Sequence, residues 1–381
     1  MRDQDYMMRA IELAKQGTGW TNPNPLVGAV IVKEGHIIGE GYHRRYGELH
    51  AERNAIAALK EPAEGATMYV TLEPCCHYGK TPPCTGAILE NGIRRVVIGS
   101  ADPNPKVAGK GAKMLREAGV LVEEGFMREE CDRLNPIFFH YITTRTPYVV
   151  MKYAMTADGK IATKTGASKW ITGEPARLEV QRLRHRCMGI MAGIGTVLAD
   201  DPMLNVRIPE GRSPVRIICD SRLRIPADSR ICQTAKEYPT IVAYSPDGEG
   251  GAAEANERQR EKICLLEQLG VQILPVLDGS GQVDLKVLMK LLGGRGIDSI
   301  LLEGGGILND SALRAGIVHE MQVFLAPKVF GGGNARTPVA GIGVELPGEA
   351  VSLELQEVSQ IGKDLRIEYR VRQVEGCLQE S

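Results

Sequence analysis

The sequence predicts two α/β domains in series, divided at residue 145. Three observations carry this. At 381 residues the chain exceeds what one core holds and suits two or perhaps three domains of ordinary size. Short apolar runs of strand length alternate with stretches of helical period, the pattern of layered α/β folds. The chemistry-bearing side chains also fall into two groups, one before residue 105 and one after residue 150, with Thr143-Thr144-Arg145-Thr146-Pro147 as a connector between them. Hydrophobic content of 43% and charged content of 24% are ordinary for globular proteins.

In the first domain, residues 1–145, Met7, Ala10, Ile11 and Ala14 give residues 6–15 a helical period. Thr21-Asn22-Pro23-Asn24-Pro25 forces a loop before a strand at 27–32, and 37–42 returns as its hairpin partner, ending at His43. A helix at 51–59, a strand at 68–72, a cysteine-bearing loop with a helix at 85–89, and a buried strand at 96–98 follow. Asp102-Pro103-Asn104-Pro105 turns the chain into a helix at 111–118 and a short strand at 120–123. The second domain, residues 146–381, opens on a strand from Tyr148 into an Asp-Gly turn. A helix with a basic face at 175–186, strands at 189–192 and 215–219, and a strand-glycine-helix unit across 300–314 follow. An antiparallel pair at 353–358 and 365–371 closes it. Residues 245–251 read as a flexible loop and 374–381 as a frayed tail.

His50-Ala51-Glu52 and the segment from Cys75 to Cys84 bring together the atoms for one reaction. A histidine and two thiolates can hold Zn²⁺ and leave one of four tetrahedral positions for water. Glu52, two residues past the histidine, is placed to carry protons from that water to a ring nitrogen and a departing ammonia. Cys84 follows Pro82-Pro83 at a helix start, a location that favours a thiolate, and His50 opens a helix as well. A closed structural zinc with Cys76 or His77 as fourth ligand is the alternative; it would not need Glu52.

These residues resemble the cytidine/deoxycytidylate deaminase superfamily. The long spacing from Cys75 to Cys84, with Thr81-Pro82-Pro83, resembles in particular the deaminase half of the bifunctional riboflavin-biosynthesis enzymes. That resemblance implies a three-layer α/β/α first domain of the cytidine-deaminase type. It also implies that Asn24, His43, Lys80, Asp102 and Asn104 hold the pyrimidine, ribose and phosphate of the substrate. Lysine suits a phosphate as a point charge, and Asn and Asp match an aminopyrimidine edge.

The second domain resembles the reductase half of the same enzymes in the run from Tyr148 to Ala162, in Ser168-Lys169-Trp170-Ile171-Thr172-Gly173, and in Gly193 to Pro202. A fold similar to dihydrofolate reductase and an NADPH cofactor are implied. Ala154, Trp170, Thr196, Asp200, Ser221 and the turn Gly305, Gly306, Ile307, Leu308, Asn309, Asp310 and Ser311 would line the cofactor site. Ser168, Arg184, Leu204, Arg207 and Glu303 would contact substrate, the arginines suiting its phosphate. Asp200 and Glu303 are both candidates for the proton donor. Independently of the resemblance, Gly304-Gly305-Gly306 between a strand and a helix lets backbone N–H groups approach a pyrophosphate. Gly193-x-Gly195 is not a dinucleotide fingerprint, because Leu198 stands where the third glycine belongs. One departure from the family is Met188-Gly189, where an Asp-Ala pair is usual.

The implied function is a hydrolytic deamination of 2,5-diamino-6-(5-phosphoribosylamino)pyrimidin-4(3H)-one, followed by NADPH-dependent reduction of the ribosyl chain to ribityl. A net charge of −1 and a balance of acids and bases within residues 1–145 argue against nucleic acid as a partner. Nine scattered cysteines and no export segment point to a cytoplasmic protein, and no apolar run approaches the roughly 18 residues of a membrane span. A homo-oligomer, dimer or tetramer, is expected. A nucleic-acid deaminase with a fused domain fits the neutral first domain and low aromatic content poorly. A chain in which the second domain has decayed into a binding unit remains the other alternative.

Overall fold

A computed structural model describes residues 2–77, 82–104, 107–246, 253–277 and 281–372. Lys80, most of the loop expected at 245–251, and the tail 374–381 lie outside the described residues. The chain divides into two compact units, Met1–Arg145 and Thr146–Ser381.

In the first unit the elements are α1 (Asp3–Lys15), β1 (Gly28–Lys33), β2 (His36–Tyr42), α2 (Ala51–Ala57), β3 (Thr67–Leu72), α3 (Cys84–Glu90), β4 (Arg95–Ser100), α4 (Lys110–Glu117), β5 (Leu121–Glu124), α5 (Arg128–Asp132) and α6 (Pro136–Thr144). The strands form one sheet in the order β2-β1-β3-β4-β5. β1 is antiparallel to both neighbours, and β3, β4 and β5 run parallel.

Both faces of this sheet are covered, so its strands are apolar at successive positions. Ala29, Ile31, Met68, Val70, Val96 and Ile98 pack beneath Ala51, Ala55, Ile88, Leu115 and Phe138. The intervening Val30, Val32, Tyr69 and Val97 pack on Tyr6, Met7, Ala10 and Ile11 of α1 and on Cys131 of α5. The result is three layers, α/β/α. The helix α2 lies on β2 backbone to backbone: a Cβ on Gly41 would stand 2.3 Å from the Ala55 nitrogen and 2.6 Å from the Ala51 oxygen. Only glycine permits that approach, and it fixes where α2 presents His50 and Glu52.

The second unit contains β6 (Tyr148–Thr156), α7 (Glu174–Arg186), β7 (Gly189–Gly193), α8 (Ile194–Asp200), β8 (Val215–Cys219), α9 (Arg230–Gln233), β9 (Thr240–Tyr244), α10 (Ala253–Gln268), β10 (Val271–Pro275), α11 (Leu285–Gly294), β11 (Ser299–Leu302), α12 (Gly306–Arg314), β12 (Val318–Ala326), β13 (Leu353–Ile361) and β14 (Asp364–Val371). Among the described residues its sheet has nine strands in the order β10-β9-β8-β7-β11-β6-β12-β14-β13. The strands from β10 to β12 are parallel, and the β14-β13 hairpin adds an antiparallel edge. Alternation again splits the core: Met191, Ile217, Ile241, Ile300 and Leu302 meet Leu288 and Leu292 of α11 and Ala312 of α12, while Ile190, Ile218 and Val242 meet Val197, Ile231 and Leu266.

At the Met188-Gly189 departure β7 forms normally. The Met188 N–H donates to Ser299 Oγ at 3.0 Å. A Cβ on Gly189 would meet Ile217 Cδ1 at 2.9 Å, so the neighbouring isoleucine occupies the space a larger residue would need. The chain leaves β7 for β8, β9 and β10 on one side and then returns to place β11 between β7 and β6. The carboxyl ends of β7 and β11 therefore flank a topological switch point, where open α/β sheets bind ligands.

Candidate active sites

In the first unit, His50 caps α2, Pro83 caps α3, and Cys84 is the first residue of α3. Arg53 of α2 ties the two helix starts together by donating to the carbonyls of Pro82 and Pro83 at 3.1 and 3.0 Å. His50 Nδ1 stands 3.5 Å from Cys75 Sγ and 3.5 Å from Cys84 Sγ. All three ligand atoms lie within 4.8 Å of one another. Tetrahedral zinc with Zn–S of about 2.3 Å and Zn–N of about 2.0–2.1 Å separates nitrogen and sulfur ligands by roughly 3.6 Å, so the observed spacing fits the ion. Among the described residues the cluster has these three members, and Cys76 and His77 stand outside it.

The electrostatics agree with a cation at this point. The Cys75 thiol is drawn far below the usual range by hydrogen bonds from Cys84 and His50 and from the Cys84 N–H, which donates to its sulfur at 3.4 Å. The same pairing, with burial, pushes the Cys84 thiol up. Glu52, 3% exposed, has its carboxyl raised by burial and then by the Cys75 charge. A raised, buried carboxyl is suited to taking up and giving back a proton.

A cavity of about 260 Å³ opens here. Its lining includes Asn24, His43, His50, Glu52, Cys75, Asp102 and Asn104, so the structure brings the described ring-holding candidates to the ligand cluster. His43 Nδ1 is 3.0 Å from the Leu49 carbonyl, which can only accept, so Nδ1 carries the proton. Burial lowers the pKa of this imidazole and favours its neutral form. Nε2 is then an acceptor, and the Asn24 amide nitrogen donates to it at 3.2 Å. Asn24 is thereby oriented, with the acceptor end of its amide turned away from His43. Burial pushes the Asp102 carboxyl up to about 6, against the Asn104 N–H that it accepts at 2.8 Å. His77 also lines the cavity, and its Nδ1 is buried without a hydrogen-bond partner among the described residues.

In the second unit the two glycine turns meet at the switch point. A Cβ on Gly305 would come within 4.0 Å of Thr196 Oγ1, and one on Gly193 within 3.6 Å of Leu308. Gly305 caps α12, whose first turn carries Gly306, Ile307 and Leu308. Farther along, the side chains serve the fold: Asn309 donates to the Pro338 carbonyl at 2.8 Å, Ser311 to the Ile307 carbonyl at 3.0 Å, and Asp310 accepts from Arg314 at 2.9 Å. What this turn offers a ligand is its backbone N–H groups, as a pyrophosphate requires. Asp200 closes α8, and Ser221 follows the adjacent β8, where its Oγ accepts the Val283 N–H at 3.2 Å. Ala154 lies within β6, in register with Phe324. Ser168 and Trp170 lie on the loop before α7, Trp170 61% exposed beneath the Arg177 guanidinium at 4.6 Å.

Glu303 follows β11 and is gripped by Arg184, whose Nε and Nη2 donate to its two oxygens at 2.7 and 3.0 Å. Arg184 Nη1 donates to the Asn205 carbonyl at 3.0 Å, so each of its nitrogens is already engaged. Burial would raise the Glu303 carboxyl, but Arg184 and then Lys152 overcome it and hold it at about 2. Arg207 is exposed, with Nη1 bonded to Asn205 Oδ1 at 3.1 Å, and is the freer of the two arginines for an incoming anion. The Leu204 side chain is buried in the core.

Two functional neighbours escaped the sequence reading. Lys152 lies in β6 with Nζ 3.9 Å from Glu303; a lone charge inside an apolar strand was its signal. Glu73 is buried and accepts backbone N–H groups from α4, and nothing local announced it.

The RibD C-terminal domain family matches residues 147–367, and the cytidine and deoxycytidylate deaminase zinc-binding region matches residues 1–100. The riboflavin biosynthesis protein RibD of Actinobacillus pleuropneumoniae is 56% identical over 371 residues, 97% of this chain and 96% of that one. That of Aquifex aeolicus is 42% identical over 97% of this chain and 98% of its own. Among solved structures, Acinetobacter baumannii RibD superposes with a TM-score of 0.83 at 38% identity, covering 97% of this chain and 99% of that one. The Thermotoga maritima diaminohydroxyphosphoribosylaminopyrimidine deaminase/5-amino-6-(5-phosphoribosylamino)uracil reductase gives 0.83 at 37% identity, covering 97% and 98%. With relatives of this identity spanning nearly its whole length and one family matched in each unit, the chain belongs to the RibD family.

Proposed function

We propose that the chain catalyses two successive steps of riboflavin biosynthesis, the first in residues 1–145 and the second in residues 146–381. The observation that carries the reading is the His50–Cys75–Cys84 cluster with buried Glu52 on one cavity wall and Asn24, Asp102 and Asn104 lining the same space. In the first step the amino group at the pyrimidine carbon facing Glu52 is exchanged for oxygen and leaves as ammonia. Zinc held by His50 Nδ1 and the two thiolates supplies the Lewis acidity that makes water nucleophilic near neutral pH. Glu52 takes one proton from the attacking water and gives it to the ring nitrogen, then carries the proton of the added hydroxyl to the amine as the carbon–nitrogen bond breaks. Asn24, fixed by His43, together with Asp102 and Asn104, reads the donors and acceptors of the ring. Lys80 is assigned to the phosphate.

In the second step NADPH, when bound, would supply the hydride that reduces the open, imine-like ribosyl chain at its anomeric carbon. The first turn of α12 and Thr196 would cradle the cofactor phosphates, Trp170 and Ala154 would line its site, and Ser221 would lie toward its adenosine end. Arg207 pairs with the substrate phosphate, and Arg184 holds Glu303 as an anchor. Glu303, held ionised by Arg184 and Lys152, serves as that anchor rather than as a proton donor near pH 7.

The finer assignments belong to the same reading: a cytoplasmic enzyme of a small phosphorylated substrate, without nucleic acid, self-associating as a dimer or tetramer. No helix among the described residues is long and apolar enough to cross a membrane. Exposed Leu353, Leu355 and Val358 on edge strand β13 support self-association, which sedimentation checks. The function itself is tested by supplying the diaminopyrimidine substrate with NADPH and following ammonia and NADPH absorbance together. Equal amounts of ammonia released and NADPH oxidised are expected, with ammonia leading. NADPH oxidation without ammonia release would overturn the assigned order.

A further inference from the structure

Glu73 lies between β3 and the metal-ligand segment, only 4% exposed, and plays no part in the chemistry above. Its Oε1 accepts the N–H groups of Gly111 and Ala112 at 2.9 and 3.2 Å. Its Oε2 accepts that of Gly109 at 2.9 Å and, at 3.5 Å, that of Asp102. Both oxygens are therefore committed to a segment some 29 to 39 residues farther along the chain. Its own N–H donates to the Ser100 carbonyl at 3.0 Å and extends the pairing with β4 beyond the end of β3. The segment it grips carries Asp102, whose Oδ1 in turn accepts the Asn104 N–H. On the far side the fit is closed: a Cβ on Gly111 would stand 2.1 Å from the Pro74 carbonyl oxygen.

We propose that Glu73 is a positioning residue for pyrimidine recognition: it fixes the distance between the strand end that delivers Cys75 and the turn that presents Asp102 and Asn104. With four N–H groups on two oxygens it acts on the substrate through that turn. Asp102 and Asn104 hold the ring in the ground state and the transition state alike, so displacing their turn weakens substrate binding and raises KM. The inference rests on the deaminase reading of the first unit and deepens it.

Glu73→Gln tests it, because glutamine keeps the length but turns an NH₂ toward two N–H donors whichever way the amide lies. Full-length, zinc-loaded protein is assayed by ammonia release. We expect KM for the diaminopyrimidine to rise by about tenfold or more with kcat within roughly threefold of wild type and bound zinc unchanged. Because Glu73 acts in part through Asp102, Glu73→Gln combined with Asp102→Ala should raise KM by less than the product of the two single effects. An unchanged KM with a lowered melting temperature would reduce Glu73 to a structural residue and overturn the proposal, as would multiplicative effects in the double variant. If Glu73→Gln does not fold, Gly111→Ala carries the test: it pushes the same segment off Pro74 with the carboxylate intact, so a raised KM supports the proposal and an unchanged one overturns it. Wild-type protein that releases no ammonia would overturn the deaminase reading, and the proposal with it.

Discussion

Replacing Glu303 by Gln removes one charge from a buried cluster and leaves the other side uncompensated. Arg184, 10% exposed at its side chain, would keep one of its two bonds to residue 303 and its bond to Asn205, but without a counter-charge; Lys152 would lose its neighbour as well. Breaking a buried pair by removing one partner costs about 3–5 kcal/mol. The titration of Glu303 gives an independent figure. A carboxyl held at about 2 in the folded chain, against about 4.3 when unfolded, contributes on the order of 3 kcal/mol at neutral pH.

Because the folded value is depressed, this contribution is complete above about pH 4.3 and is lost as pH falls toward 2. The chain has two tryptophans, Trp20 in the first unit and Trp170 in the second, so a Trp20→Phe background lets Trp170 alone report unfolding of the second unit by urea. The wild type should exceed Glu303→Gln by about 3 kcal/mol at pH 7, and the gap should narrow below pH 4. A gap under about 1 kcal/mol at pH 7, or one that widens between pH 5 and pH 3, would refute the ion-pair argument.

Purified protein should hold about one zinc per chain, and chelation should stop ammonia release while sparing NADPH oxidation on pre-deaminated substrate; full deamination by metal-free protein would contradict the ligand assignment. Arg207→Ala should weaken binding of the phosphorylated substrate by roughly 1.5–3 kcal/mol and leave NADPH affinity nearly unchanged, as titration calorimetry can resolve. If NADPH affinity falls instead, the substrate and cofactor assignments are exchanged. Gly306→Ala places a Cβ 2.8 Å from the Thr337 carbonyl. It should displace the start of α12 and lower NADPH affinity by about tenfold or more, an overpacking cost of roughly 1–3 kcal/mol.

The site was legible in the sequence where chemistry demands particular residues at short range. His50, Cys75 and Cys84 stand out because a metal ligand cannot be replaced by a merely similar side chain, Glu52 because proton transfer needs a carboxylate beside them, and the prolines before Cys84 mark the helix start that carries it. Strand positions were legible for a related reason, since sheets covered on both faces need continuous apolar runs such as Val30-Ile31-Val32. Glu73 was not legible, because its partners are backbone N–H groups of Gly109, Gly111 and Ala112, which any sequence possesses. Arg184 read as a free phosphate ligand until the fold set its fork against Glu303, residues 119 apart in the chain. The return of β11 between β7 and β6 is likewise a matter of topology, and it alone brings the two glycine turns together.

The two-site account is tested most directly by Glu52→Gln. Glutamine preserves the shape of the side chain and the three metal ligands but has no basic oxygen to accept a proton, a contribution worth about 10²–10⁴-fold. Given the diaminopyrimidine, the variant should release almost no ammonia; given the pre-deaminated substrate, it should oxidise NADPH at the wild-type rate. Near-normal ammonia release would remove Glu52 as the proton carrier, and loss of both activities would contradict the division of labour between residues 1–145 and 146–381.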